Sequence, residues 1–263
     1  MLFLTNNAIL FLVMKMTTKT KTSGVLSTFT LKILACVFML IDHVGVRIFP
    51  QFIIFRVIGR LAFPIFAFLI SQGCYYTKSR LKRFLSVFLL GIICEMVYVI
   101  YDGRFYGNIL LTFSLSILLI YTLDEIKKKV YSKQIPQIIL YLALFISGLI
   151  LSYIINYTLG VDYGFFGILT PVFVSLCDYK AGEHPEYFKY LDNKPTRLVM
   201  LAFALVLLSW RKSMISIQIL SLFSLIPISL YNGKVGKYKL KYAFYLFYPL
   251  HLLLIEGISM LIK

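Results

Sequence analysis

Seven ionisable side chains stand in stretches apolar enough to enter lipid: Asp42, His43, Arg56, Arg60, Glu95, His251 and Glu256. Burying one at mid-bilayer costs about 2.5–3.5 kcal/mol on insertion scales, so each is a functional candidate by default. Asp42 and His43 are neighbours in LACVFMLIDHVGVRIF. An imidazole beside a carboxylate titrates near neutrality, which suits a general base or an acyl carrier. Arg56 and Arg60 are four residues apart and stack on one helix face, where Asp42 and Glu95 are the acids at matching depth. These groups can share one outward-facing polar pocket. For Arg56 and Glu95 the plain alternative is a salt-bridge network that fixes helix packing.

His251 lies in FYLFYPLHLLLIEG, with Pro249 loosening the helix and Tyr248 one turn earlier on the same face. A lone histidine on an apolar helix is more often a packing residue, but two of only three histidines inside apolar segments tip the balance toward function. The third, His184 in AGEHPEYFKY, reads as solvated, and Glu256, five residues beyond His251, as interfacial. In VDYGFFG, Asp162, Tyr163, Gly164 and Gly167 form a loop entering a helix, serving either a tight turn or substrate contact. Asn108 in GNILLT can cap a helix or hydrogen-bond across the bundle. Cys36, Cys74, Cys94 and Cys177 lie in apolar stretches without metal-ligand spacing, so neither a disulfide nor a metal is expected. No GxSxG, Walker, HExxH or dinucleotide fingerprint occurs.

The elements that must position these residues are membrane helices. The chain is 60% hydrophobic and only 14% charged, with a mean hydropathy of +0.85, too apolar for a soluble domain of this length. Apolar runs recur that match the roughly 20 residues needed to cross the hydrocarbon core. The expected fold is all-α, a polytopic transmembrane bundle of about nine spans: 29 to 48, 52 to 75, 83 to 101, 107 to 123, 135 to 157, 164 to 178, 197 to 210, 214 to 231 and 243 to 262. Residues 1–28 form an apolar, then basic, N-terminal extension, cytoplasmic or interfacial; its first fourteen residues are too short to span and lack the marks of a signal peptide. Residues 29–263 form the membrane domain.

The net charge of +16 can suggest nucleic acid, but the basic residues cluster in alternate gaps, as the positive-inside rule and anionic lipid require. The expectation is therefore a multi-pass cell-membrane protein with the lipid bilayer as partner, no nucleic acid, and a cytoplasmic N-terminus. Arg211 and Lys212 break the alternation as placed.

The run LKILACVFMLIDHVG, then FRVIGRLAFPIFAFLISQG with YTKSRLKRFL, ICEMVY, GNILLTFSLSILLIY, VDYGFFGIL and KYAFYLFYPLHLLLI resembles the TraX family in order and spacing over about residues 29 to 262. That family takes its name from the conjugative-pilus protein that acetylates the N-terminus of pilin, and is similar in turn to integral-membrane acyltransferases that use cytoplasmic acetyl-CoA. By this resemblance His43 and His251 match the first-span and last-span histidines, and Arg60 and Glu95 match the arginine of GR and the acid of span three. The extended N-terminus and the linker at 178 to 197 match nothing in the family.

The resemblance implies acetyl transfer from acetyl-CoA, without a metal, to a protein or peptide N-terminus or an envelope glycan hydroxyl. His43, polarised by Asp42, would act as base or acyl carrier, Arg60 would hold the oxyanion, and His251 would be the second acid/base. Arg56, Glu95, Asn108, Asp162, Tyr163 and Tyr248 would contact substrate. Arg80, Lys82, Arg83, Lys237 and Lys241 would hold the CoA phosphates, although topology alone already requires basic residues there. The competing expectation is a proton- or ion-coupled small transporter or immunity-type protein with no enzymatic activity.

Overall fold

The structure is a computed structural model that describes residues 24–179, 190–210, 217–238 and 241–262. The expectations for residues 1–23, His184, Arg211 and Lys212 lie outside the described residues. Those described are helical, without strands: α1 (Thr28–Arg47), α2 (Ile53–Gly59), α3 (Ala62–Tyr76), α4 (Arg80–Asp102), α5 (Ile109–Tyr131), α6 (Ile135–Thr158), α7 (Gly164–Ser175), α8 (Lys194–Trp210), a 3₁₀ helix (Ile217–Ser224), α9 (Leu225–Ser229) and α10 (Lys241–Ile262).

Local chemistry sets the boundaries. The Ser27 hydroxyl caps α1 by accepting from the Thr30 amide, and Asn108 caps α5 by accepting from Leu110, each meeting a donor that the first turn leaves orphaned. Gly103 ends α4 at φ 64°, a left-handed position that glycine adopts without strain. Pro64 sits four residues after Arg60, and its ring excludes a helical carbonyl there. The chain accordingly breaks into α2 and α3 at Arg60 and Leu61, which places Arg60 at a bend.

Among the described residues, six segments are long and apolar enough to cross a membrane: Thr28–Arg47, Ile53–Tyr76, Arg80–Asp102, Ile109–Tyr131, Ile135–Thr158 and Ala243–Leu261. This corrects the expectation of nine. The stretch read as a span at 164 to 178 is the 12-residue α7, that at 197 to 210 belongs to the 17-residue α8, and that at 214 to 231 is the short apolar Ile217–Ser229. α7 is apolar because most of it is buried inside the bundle, and burial asks for the same residues as lipid does, whereas the other two bury one face each and leave Val199, Phe203, Phe223 and Ile226 exposed. They nonetheless join the same two ends. At one end, rich in lysine, Lys127 at the foot of α5 donates to the carbonyls of Ser175 and Asp178 after α7, and Lys194 at the start of α8 reaches those of Ser229 and Tyr231. At the opposite end Arg47 pairs with Asp102 and Glu256.

α3 is the central helix, burying Phe63, Ile65, Phe68 and Cys74 against α1, α5 and α7, whereas α6 buries only Ser152 and turns its other faces outward. All four cysteines are free and buried.

Candidate functional site

α1 and α10 pack together, and their contact closes a 208-residue separation in sequence: His43 Nδ1 lies 2.8 Å from His251 Nε2. Sequence depth put His251 nearer mid-helix than His43, but the bundle brings them level. The other nitrogen of His251, Nδ1, lies 2.9 Å from the Phe247 carbonyl. A carbonyl only accepts, so Nδ1 of His251 carries hydrogen. In the neutral ring Nε2 is then an acceptor, Nδ1 of His43 is the donor, and Nε2 of His43 is left with an open lone pair. Packing holds the relay in place. The Phe247 and His251 rings stack at 4.9 Å and 7°, and the Tyr248 ring meets His251 edge-on at 5.3 Å. His251 is 3% exposed, while His43 keeps part of its surface open.

Asp42, one residue earlier, points to another helix face and does not polarise His43 as expected. Its carboxylate takes Arg56 at 2.7 Å and Arg60 at 3.5 Å, confirming Asp42 as the partner of both guanidiniums. Gly59 makes this approach possible, because a Cβ there would fall 2.2 Å from Asp42 Oδ1. Arg60 also donates to Gln218 Oε1 at 3.4 Å and lies over the Tyr163 ring at 5.7 Å. Tyr163 stacks on Phe63 at 4.0 Å and sits at φ 62°. A left-handed tyrosine is unfavourable unless its surroundings hold it, and such positions concentrate at functional sites.

Glu95 departs from expectation. It meets neither arginine; its carboxylate accepts the backbone N–H groups of Tyr106, Gly107 and Asn108 and the Asn108 side-chain amide. Asn108 does both things foreseen, capping α5 and donating across to the Gly91 carbonyl. The two therefore build the loop between α4 and α5. Asp162 joins that loop by its backbone, its N–H donating to Gly107 at 2.7 Å, and its side chain accepts from the Tyr163 amide.

The expected phosphate ligands separate. Arg80 is tied to Asp124 and Glu125, Lys82 is exposed, and Lys237 lines a shallow surface cleft with Lys234. Lys241 opens α10, but its side chain is outside the described residues. Arg83, alone of those whose side chains are described, borders a largely apolar cavity of about 490 Å³ that Lys32, Gln72, Phe247 and Tyr248 also line.

Sequence reasoning missed Arg47, whose 2.6 Å pair with Glu256 makes that acid a buried ion-pair partner and not an interfacial residue. The signal was available, since Arg47 and Asp102 both end helices at the same side of the bundle and Glu256 lies in the last helix toward that side. Gln218, an uncharged residue in the weakest apolar segment, gave none. A second buried cluster was also unforeseen: Arg197 with Asp178, Asp192 and Gln72 at the lysine-rich end.

The model of one protein family, described as "TraX protein", matches residues 27–259. A 92-residue segment is 34% identical to an uncharacterised protein of Rickettsia prowazekii (strain Madrid E), covering 35% of each chain; the match thus spans about a third of that relative. Over 270 aligned positions, 90% of this chain and 97% of the other, it is 25% identical to "Probable fimbrial assembly protein FimC, serogroup H1" of Dichelobacter nodosus. No solved structure matches.

Proposed function

Because this chain belongs to the TraX family, we propose that it is an integral-membrane acetyltransferase, taking acetyl from acetyl-CoA at the lysine-rich end, read as cytoplasmic, and passing it to an amine or hydroxyl at the opposite face. The observation that carries this reading is the histidine relay, two imidazoles from distant helices joined at 2.8 Å with the second held on a carbonyl. Such an arrangement makes one nitrogen a base and gives the acquired charge a second ring to occupy.

In the reaction His43 Nε2 takes the proton from the attacking amine or hydroxyl. The nucleophile forms its bond to the thioester carbonyl carbon, and the carbonyl electron pair moves onto oxygen, beside the Arg60 guanidinium. Collapse breaks the C–S bond, and the leaving thiolate takes the proton back from the histidine pair. His43 and His251 are the catalytic residues of this reading. Asp42 is a positioning residue, holding Arg60 and Arg56; Arg56, 36% exposed at its side chain, and Tyr163 face the acceptor. Glu95, Asn108 and Asp162 shape the loop through which the acceptor enters. The name of the Dichelobacter relative, a fimbrial assembly protein, favours the N-terminus of a surface protein over a glycan.

The test is purified protein in lipid nanodiscs with labelled acetyl-CoA and either a peptide bearing a free N-terminal amine or an envelope polysaccharide. Label on the peptide amine supports the full reading, and label on the glycan moves the acceptor class. No transfer to either, together with proton-coupled uptake in liposomes, overturns it in favour of a transporter.

A further inference from the structure

Arg60 sits at the bend between α2 and α3, and both helices pack on the 3₁₀ helix Ile217–Ser224. Its guanidinium is steadied from three sides and held tightly by none. Asp42 Oδ1 lies at 3.5 Å and Gln218 Oε1 at 3.4 Å, and the centre of the Tyr163 ring at 5.7 Å. Arg56, closer at 2.7 Å, answers the Asp42 charge more directly, so Arg60 keeps N–H groups and positive charge for a ligand. Asp42 adjoins His43 in α1, and Arg60 is near enough for its charge to act on the His43 ring.

Gln218 brings a second donor to the same place. It is only 6% exposed. Arginine only donates, so the contact with Arg60 Nη1 fixes which end of the Gln218 amide is oxygen and leaves Nε2 as the end still seeking an acceptor. Nε2 is buried, and no described residue accepts from it. Buried amide donors are nearly always engaged, so a ligand oxygen is the partner that this one lacks. Ser221 and Ser224, three and six residues on, are likewise buried with hydroxyls that no described residue engages. Three residues per turn puts them in line with Gln218, but of the three it is Gln218 that meets Arg60.

We propose that Gln218 is a catalytic residue: its Nε2 donates, together with Arg60, to the carbonyl oxygen of the acyl group under transfer. As the nucleophile bonds to the carbonyl carbon, the C=O pair moves onto that oxygen, and two donors in a site with little water stabilise the charge more than one. On collapse the pair returns, the C–S bond breaks, and Gln218 keeps its hydrogens throughout. An amide can stand beside the guanidinium in this role without the repulsion that a second cation would bring. The inference rests on the acetyltransferase reading and adds a residue to it.

The test is acetyl transfer by the full chain in nanodiscs, together with the isotope-edited infrared band of bound, carbonyl-labelled acetyl-CoA. Gln218→Met lowers kcat about 10²-fold, the usual loss for one oxyanion donor, while KM for acetyl-CoA stays within about threefold. Gln218→Glu separates a donor from a mere support for Arg60, because it keeps an oxygen for the guanidinium and loses the N–H; its kcat falls at least as far. The carbonyl band lies at lower frequency in the wild type than in either variant, since a donor to the oxygen weakens the C=O bond. Ser221→Ala removes an unengaged hydroxyl from the same face and leaves both kcat and the band at wild-type values. If Gln218→Met does not give monodisperse protein, the isosteric Gln218→Glu carries the test. Wild-type turnover in Gln218→Glu, a band that ignores Gln218, or an equal loss in Ser221→Ala each overturns the proposal and leaves the transferase standing. A wild type that moves acetyl to no acceptor removes the transferase, and the role of Gln218 with it.

Discussion

Two ionic clusters lie inside this bundle, and they differ in what they leave open. At the lysine-rich end Arg197 is shared among Asp178, Asp192 and Gln72, Tyr75 donates to Asp192, and Ser71 bridges Asp178 and Ser175. Its charges are answered locally, and its work is to tie the chain on either side of residues 180–189 to α3 and α8. Toward the other end Asp42 holds Arg56 and Arg60, and the adjacent histidine relay ends at His43 Nε2, which no described residue engages. Charge within a membrane protein thus does not by itself mark the reactive place. The open valence does.

That contrast can be broken at either cluster. The largest effect is expected at the relay. His43→Ala and His251→Ala each lower acetyl transfer about 10²- to 10⁴-fold, the usual span for a lost acid–base group, with an unchanged elution volume and melting temperature. Equal turnover in both variants removes the histidines from the chemistry. Arg197→Ala acts on the other cluster and on stability: leaving Asp178 and Asp192 buried without their cation costs about 3–5 kcal/mol. Denaturant titration in detergent reads that loss, while turnover per folded molecule stays near wild type.

Arg60→Gln separates the two roles again. It lowers the transfer rate about 10²- to 10³-fold, as removal of an oxyanion donor does, and a KM that moves more than kcat would reassign Arg60 to acceptor binding. Gly59→Ala probes the packing beneath the site. Its methyl collides with Asp42, so stability falls by about 1–3 kcal/mol and transfer falls with it. Gly257→Ala, where an added Cβ meets nothing within 4 Å, is the matched control and changes neither. Glu95→Gln acts on the loop alone: both carboxylate oxygens accept N–H groups, so the amide turns its own NH2 onto buried donors and stability falls by about 1–3 kcal/mol. Faster hydrogen exchange at the Gly107 and Asn108 amides reports it.

Some of the site could be read without coordinates. Asp42 as partner of Arg56 and Arg60 followed from depth and a four-residue spacing, since in lipid a charge must find its complement among few candidates. Glu95 misled for the same reason: depth made it the other available acid, whereas backbone N–H groups of the following loop took it. Backbone donors are present at every residue and carry no sequence signal. The short segments misled in a related way, because a short helix packed on the bundle and one that crosses lipid share an apolar composition. Only length within the fold distinguishes α7 and Ile217–Ser229 from a span.

Taken alone, the sequence determined the class of molecule, an all-helical membrane bundle of the TraX family, and the short set of side chains too expensive to bury idly. Those follow from composition, from helix period and from motif order, all of which are local. Which nitrogen of which histidine is basic and which acid serves which arginine were decided by contacts between residues as far apart as 43 and 251. Hydrogen bonds and ion pairs act over about 3 Å, and only the packed bundle brings such distant residues within that range.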